Sequence, residues 1–111
     1  MNSIKITGRI VNDLEVKNNR LAFRVAVDRK RKKDQEKKTD FLPIVAWGDM
    51  ANRIEKYSGK GCRILVAGKL HTSQYTDKEG QTKTGYEINV DDVEFIDFKQ
   101  NESQESNNEE E

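Results

Sequence analysis

The chain has 111 residues, 33% of them hydrophobic and 36% charged, and its 20 basic and 20 acidic residues give a formal net charge of zero. This length is typical of one domain, and no apolar run approaches the roughly 18 residues of a transmembrane helix, which argues against a helical membrane protein. The single cysteine, Cys62, excludes an internal disulfide, and with only one histidine the ligand set is too small for zinc, so we expect no metal and no cofactor.

The start of the chain, MNSIKITGRI, lacks the basic and then apolar stretch of a signal peptide, so we expect a cytoplasmic protein. In residues 4–11, Ile4 and Ile6 alternate with polar residues before Gly8, which marks a strand bend. Residues 21–28 alternate from end to end, with the large apolar side chains on one face. This pattern predicts a second strand with one buried side.

A charged loop, residues 29–39, precedes the third predicted strand, residues 40–48. Seven of the ten positions from Arg29 to Lys38 are basic, whereas the strand carries Trp47, the only tryptophan. Because side chains alternate along a strand, we expect one face of this strand in the core and the other outside. The inner face holds Leu42, Ile44 and Ala46. The outer face holds Phe41, Pro43, Val45 and Trp47.

Residues 49–57 have apolar side chains at helical spacing and Asp49 as a candidate N-cap, which predicts a short helix. Residues 62–70 predict a fourth strand with a bend at Gly68. A hairpin connection is then expected in residues 76–85, because turn-forming and charged residues dominate there.

The last strand or two, residues 86–97, complete a predicted all-β fold with small α content. Five strands with one short helix between strands 3 and 4 are the layout of the five-stranded oligonucleotide-binding (OB) barrel. We expect residues 1–99 to form this domain and residues 100–111 to be a disordered acidic tail. The tail holds five acidic residues and no basic ones, so residues 1–99 carry a net charge of +5, which favours a polyanion as ligand.

The basic loop and the outer aromatic face together match the chemistry of single-stranded nucleic acid. Such a strand exposes phosphates, which attract cations, and unpaired bases, which stack on aromatic rings. The predicted stacking residues are Phe41, Trp47 and Tyr75. The predicted phosphate contacts are Arg9, Arg24, Arg29, Lys30, Arg31, Lys32, Lys33 and Arg63.

Each of these features also has a structural alternative. Phe41 and Trp47 could fill the core while the opposite face packs an oligomer interface, since parity alone does not say which face is inside. The basic loop could be solvated surface that binds nothing, and Tyr75 could cap the end of the barrel. Small domains bury little of their surface, so an oligomer is expected in either case.

The chain resembles bacterial and phage single-stranded DNA-binding proteins, in segments that together cover nearly all of residues 1–97. These segments are MNSIKITGRI, LAFRVAVDR, TDFLPIVAWGDMANRIEKYSGKG, ILVAGKLHTSQYTDKEGQTKTGYE and VDDVEF. The resemblance implies an OB barrel, usually a homotetramer, that coats single strands during DNA replication, recombination and repair. It also implies stacking roles for Phe41, Trp47 and Tyr75.

Two features depart from that family's pattern. The family has a further aromatic residue in the loop before the third strand, whereas residues 29–40 here are all charged or polar. Family tails commonly end in acidic residues followed by proline and phenylalanine, which dock replication and repair proteins, whereas this chain ends in NNEEE. We therefore expect single-stranded DNA as the main partner, with a homo-oligomer of two or four chains.

Other functions are also compatible with an OB barrel. A metal-dependent nuclease would need ligands from Asp28, Asp40, Asp49 and Glu87, whose spacing matches no metal motif, so we expect no enzyme. A protein-interaction module, such as a primosome accessory factor, would bind oligonucleotides weakly. RNA is a further candidate ligand, since stacking and phosphate contacts do not read the sugar.

Overall fold

The computed structural model describes residues 1–30 and 32–99; Arg31 and the predicted tail at 100–111 lie outside the described residues. The elements in the described part follow the order β1 (Ile4–Ile10), β2 (Arg20–Asp28), β3 (Thr39–Trp47), α1 (Gly48–Tyr57), β4 (Arg63–Thr76) and β5 (Thr82–Phe95). The strands close into a barrel in the order β1-β2-β3-β5-β4. Neighbours are antiparallel except β3 and β5, which run parallel. The predicted five-stranded OB barrel, with its helix between strands 3 and 4, is confirmed.

The core is built from the faces that alternation predicts. On β2, Leu21, Phe23 and Val25 are at most 2% exposed, and on β3, Ile44 and Ala46 are fully buried. These side chains pack with buried residues of the other elements: Ile10, Ala51, Ile54, Ile64, Val66, Ile88 and Val93. The remaining face of β2 and β3 is therefore the outer surface of the barrel.

Helix α1 packs against β2, β3 and β5 through Ala51 and Ile54, which are both fully buried. The prediction that Asp49 caps this helix is wrong, because the helix begins one residue earlier. Trp47 occupies the N-cap position in an extended conformation, without a side-chain capping hydrogen bond. Asp49 lies in the first turn instead, where a carboxylate still interacts favourably with the helix dipole.

Half of the connection predicted for residues 76–85 is strand. β4 continues to Thr76 and β5 begins at Thr82, so only residues 77–81 form the turn. The Asp77 carboxylate accepts hydrogen bonds from two backbone N–H groups of this turn, each at 2.9 Å. We call residues 71–87 the arm, because residues 71–76 and 82–84 are all exposed and project beyond the buried part of the sheet.

The β4–β5 register shifts between Ala67 and Gly68, as the glycine predicts for a bend. A Cβ atom at Gly68 would overlap the backbone oxygen of Asn89 on β5, so this approach of the two strands requires glycine. The shift lies just before the arm begins.

An aromatic cluster lies where α1 ends. Phe95 packs edge-on against Tyr57 at 5.8 Å between ring centroids and lies 5.7 Å from Phe98. The backbone N–H of Lys99 donates to the carbonyl of Tyr57 at 3.0 Å, which fixes the residues after β5 against the helix. Within the described residues, no helix is both long and apolar enough to cross a bilayer.

Candidate nucleic-acid interface

The outer face of β2 and β3 carries aromatic rings at both ends. Trp47 lies opposite Arg20, and Phe41 lies opposite Ala26 in the antiparallel register. The two rings are six positions apart along the strand, which corresponds to about 20 Å. Phe41 is 49% exposed and Trp47 is 51% exposed, so the alternative in which they fill the core does not fit the structure.

Val45, between these rings, behaves differently from the other residues of the outer face. It is 2% exposed, yet it does not belong to the core cluster. Its neighbours across the sheet are Ala22 on β2 and Asn89 on β5. Val45 is therefore the covered residue of the outer face of β3, while Phe41 and Trp47 present open rings on either side of it.

A row of cross-strand neighbours extends the Phe41 end over four strands. Phe41 pairs with Ala26, Ala26 with Arg9, and Arg9 with Arg63. Phe41, Arg9, Arg63 and Lys37 line one shallow groove there. The carboxylate of Asp28 lines the same groove and lies 3.4 Å from Lys37 Nζ. An aromatic ring and three cations thus meet there, as a base with its phosphate would require, although Lys37 and Arg63 already have carboxylate partners.

At the other end of the outer face, Trp47 and three neighbouring side chains form a closed cycle of contacts. Its indole N–H donates to Asn89 Oδ1 at 3.3 Å, and Asn89 Nδ2 donates to Glu87 Oε2 at 3.1 Å. The Arg20 guanidinium lies 5.6 Å from the centroid of the Trp47 ring, and its Nη2 lies 3.7 Å from Glu87 Oε1. We call these four residues the Trp47 bracket.

Sequence reasoning missed Arg20 and Asn89, and it considered Glu87 only as a metal ligand. The pairing of Arg20 with Trp47 follows from the β2–β3 register, which residue patterns alone do not determine. The spacing of Glu87 and Asn89 offered a weak signal, because residues two apart on a strand share a face.

Tyr75 lies on the arm, and its ring rests on a glycine. A Cβ atom at Gly85 would lie 3.5 Å from Cε1 of Tyr75, which is van der Waals contact and places the ring directly over this residue of β5. Tyr75 pairs directly with Lys83, which lies on the same face of β5 as Gly85, Glu87 and Asn89 by alternation. That face holds the bracket around Trp47. Tyr75, 53% exposed, therefore continues the outer aromatic face rather than capping the barrel.

The predicted phosphate-binding residues fall into two groups. Arg29 binds Asp40 through two hydrogen bonds of 3.0 and 2.9 Å, and Arg63 binds Asp97 through two of 3.0 and 3.1 Å. These hydrogen bonds hold the pKa of each carboxyl group below its ordinary value, because the arginine N–H groups stabilise the ionised form. The two arginines already have anionic partners.

The second group has no such partner in the described part of the chain, where none of its side chains forms a salt bridge to a carboxylate. It consists of Arg9, Arg24, Lys30, Lys32 and Lys33. Arg9 donates to the Gly61 carbonyl at 2.8 Å, and Arg24 donates to the Phe41 carbonyl at 3.4 Å. Arg31, in the same loop as the three lysines, lies outside the described residues.

The carboxylates that a nuclease would need do not converge. Asp28 is 3.4 Å from Lys37, Asp40 binds Arg29, and Glu87 belongs to the Trp47 bracket, while Asp49 lies in the first turn of α1. In residues 1–30 and 32–99, no group of three His, Cys, Asp or Glu side chains could hold a metal ion.

Comparisons with known proteins agree with this geometry. The sequence model of the Single-strand binding protein family matches residues 1–96. "Single-stranded DNA-binding protein 3" of Clostridium acetobutylicum is 34% identical over 104 residues, covering 88% of this chain and 72% of that protein. "Single-stranded DNA-binding protein" of Staphylococcus epidermidis is 36% identical over 101 residues, covering 86% and 76%. The solved structure "Plasmodium falciparum SSB complex with ssDNA" is similar with a TM-score of 0.74 and 28% identity, covering 87% of this chain and 96% of the other.

Proposed function

The chain belongs to the single-strand binding protein family, and we propose that it binds and protects single-stranded DNA, without strong sequence preference, during replication, recombination and repair. The observation that carries this proposal is the shared face of Phe41, Trp47 and Tyr75, three rings about half exposed on one side of the sheet. Members of this family are DNA-binding proteins without enzymatic activity, and this chain is not an enzyme.

The mechanism combines stacking with charge. Bases stack on the exposed rings, and each such contact is worth about 1–3 kcal/mol and tolerates any base. Arg9, Arg24, Lys30, Lys32 and Lys33 neutralise phosphates first, because within residues 1–30 and 32–99 their charges are not paired with carboxylates. Arg29 and Arg63 bind phosphate only by exchanging Asp40 and Asp97 for it. Arg31 adds a further charge from the same loop.

A titration with poly-dT tests this function directly. Trp47 is the only tryptophan, so its fluorescence reports on the proposed face alone. We expect saturable quenching whose affinity falls with salt, and much weaker binding to duplex DNA. Poly-rU of matched length separates DNA from RNA preference. Absence of quenching, together with absence of binding in a filter assay at low salt, would refute the proposal.

The chain is also proposed to assemble with copies of itself, as a dimer or tetramer. Leu70 pairs with the buried Ile88, and Tyr86 is the next residue of β5 on that same inner side, yet Leu70 is 40% and Tyr86 50% exposed. These two side chains continue the apolar inner face of the sheet onto the surface, where a second copy of the chain could cover them. Sedimentation of the wild-type chain and of Tyr86→Lys tests this, since the variant should shift the equilibrium towards monomer.

Residues 100–111, which lie outside the described residues, are proposed to form an acidic tail that competes with DNA for the +5 body. Tethering gives a weak competitor a high effective concentration, on the order of millimolar. Deleting residues 100–111 should tighten DNA binding at low salt and leave the melting temperature unchanged. The bacterial relatives favour a cytoplasmic, nucleoid-associated location.

A further inference from the structure

The Trp47 bracket places an anion where a DNA-binding face needs a cation. Glu87 faces Arg20 at 3.7 Å on the same side of the sheet as the three proposed stacking rings. A carboxylate there repels phosphates. It also pairs with the Arg20 guanidinium beside Trp47, which a phosphate could otherwise bind. The bracket therefore does not only orient the Trp47 ring. Its carboxylate, Glu87, has the same sign of charge as the phosphates of the DNA.

The distances show that this pair is the easier one to exchange. Charge-assisted N–H···O bonds are about 2.7–2.9 Å long at full strength, whereas Arg20 and Glu87 approach only to 3.7 Å. Arg29 and Asp40, by contrast, form two bonds of 3.0 Å or less. The Arg20 and Glu87 side chains are 41% and 37% exposed, so water and salt weaken their attraction further.

Two other contacts keep the bracket in place when this pair opens. Arg20 stays near the indole through its cation–π contact at 5.6 Å, and Glu87 keeps the hydrogen bond from Asn89 at 3.1 Å. Asn89 in turn still holds the Trp47 N–H. Exchange of the partner of Arg20 therefore leaves the ring oriented for stacking.

We propose that Glu87 is a built-in competitor for phosphate: it binds Arg20 in the free protein and yields it to a phosphate of the strand that stacks on Trp47. This inference rests on the proposed function and adds Arg20 to the phosphate contacts. A base stacked on Trp47 brings its flanking phosphates close to the ring, which is where Arg20 is held. Glu87 thereby weakens DNA binding, because a phosphate must compete with its carboxylate for the Arg20 guanidinium.

The test compares Glu87→Gln, Arg20→Gln and the double variant with the wild-type chain, using anisotropy of a fluorescein-labelled oligo-dT. The Glu87→Gln substitution keeps a side-chain oxygen for Asn89 but removes the charge. The matched control is Asp91→Asn, which removes one carboxylate from the same strand, where it pairs with Lys69 at 3.1 Å rather than with an arginine over a ring. Melting curves establish that each variant is folded.

We expect Glu87→Gln to bind about two- to fivefold more tightly than the wild type at low salt, the range expected for removing one exposed ion-pair competitor. Asp91→Asn should gain less, since the cation that it frees is Lys69, whereas Arg20 is the cation that lies over the Trp47 ring. Arg20→Gln should bind more weakly, with a log–log salt slope shallower by about 0.7. In the Arg20→Gln background, adding Glu87→Gln should gain no more than the control does.

Three outcomes would overturn the inference: equal gains for Glu87→Gln and Asp91→Asn, a full gain for Glu87→Gln when Arg20 is absent, or an unchanged salt slope for Arg20→Gln. If Glu87→Gln fails to melt cooperatively, the Arg20→Gln slope gives an independent reading, and if Arg20→Gln fails, the comparison of Glu87→Gln with Asp91→Asn decides. A wild-type chain without affinity for oligo-dT would instead defeat the proposed function, so the two failures are distinguishable.

Discussion

The β4–β5 hairpin has two halves that share one antiparallel ladder but differ in what covers them. In the barrel half, Ile64 and Val66 of β4 and Ile88 of β5 are at most 1% exposed. In the arm, residues 71–76 and 82–84 are exposed on both faces, although the pairing continues without a break from His71 to Thr76. Hydrogen bonding therefore makes the arm a strand pair, while burial makes the barrel half stable. Stability and DNA contact can thus reside in different halves.

The largest expected effect is on the stability of the barrel half. Ile64→Ala should lower the free energy of unfolding by about 2–5 kcal/mol, because it opens a cavity in a closed core. Thr84→Ala, on the arm, should change it by less than about 0.5 kcal/mol. Urea unfolding measures both. A large cost for the arm substitution would mean that the two halves unfold as one cooperative unit and would remove the distinction.

The rings on the barrel wall should show the next largest effect, on binding instead of folding. Trp47→Ala and Phe41→Ala should each weaken binding to oligo-dT by about 1–3 kcal/mol while the barrel stays folded. Anisotropy gives the affinity, and circular dichroism gives the fold. Trp47→Phe is the matched control, since it keeps an aromatic face and should retain most of the affinity. Unfolding without a separate loss of binding would contradict the stacking role.

The ring on the arm should contribute the same or less. Tyr75→Ala should weaken binding by an amount no larger than Trp47→Ala, because a projecting hairpin is more mobile than a barrel wall. Tyr75→Phe serves as the control, since stacking needs the ring and not the hydroxyl. A loss greater than that of Trp47→Ala would make the arm the main binding element and would reverse the comparison.

The smallest expected effect on affinity at moderate salt comes from the basic loop before β3. Neutralising Lys30, Arg31, Lys32 and Lys33 should make the log–log salt slope shallower by about 0.7 for each phosphate that the loop no longer neutralises, equally for all sequences. Lys60→Gln, an exposed lysine after α1, is a control for net charge. Slopes measured from several salt concentrations decide this. An unchanged slope would show that stacking on barrel and arm works without the loop.

The sequence predicts the barrel half well because burial leaves a visible pattern. Alternation on residues 21–28 and 40–48 divides the side chains of β2 and β3 between two faces, and the expectation that Phe41 and Trp47 lie on the outer one agrees with their exposure, whereas Val45 on that face is buried. The arm leaves no such pattern. Its residues pair but bury nothing, so polar and turn-forming side chains between 71 and 85 suggest a connection. Apolar residues at every second position show that one face of a strand is buried. They do not show whether the strand is hydrogen-bonded to a neighbour.

The contacts around the candidate site also escape sequence reasoning. The bidentate pairs of Arg29 with Asp40 and of Arg63 with Asp97 join residues 11 and 34 positions apart. The Trp47 bracket joins β2, β3 and β5. Such contacts depend on which strands are neighbours and on their register, and alternation within one strand identifies neither the partner strand nor the residue opposite. Asp49 shows the same limit locally, because the N-cap position falls two residues earlier, at Trp47, and Asp49 therefore lacks its predicted capping role.

Because the arm projects beyond the barrel, its length can change without altering the core. Two residues added to each strand beyond Gly85 and Ser73 would extend the tip by about 7 Å and keep every side chain on its own face, since alternation has a period of two. One added residue would turn Tyr75 to the opposite side. The number of nucleotides covered per chain would then grow in discrete steps with hairpin length, at no cost to the core. The length of the arm can therefore change the length of DNA that one chain covers without changing the packing of the barrel.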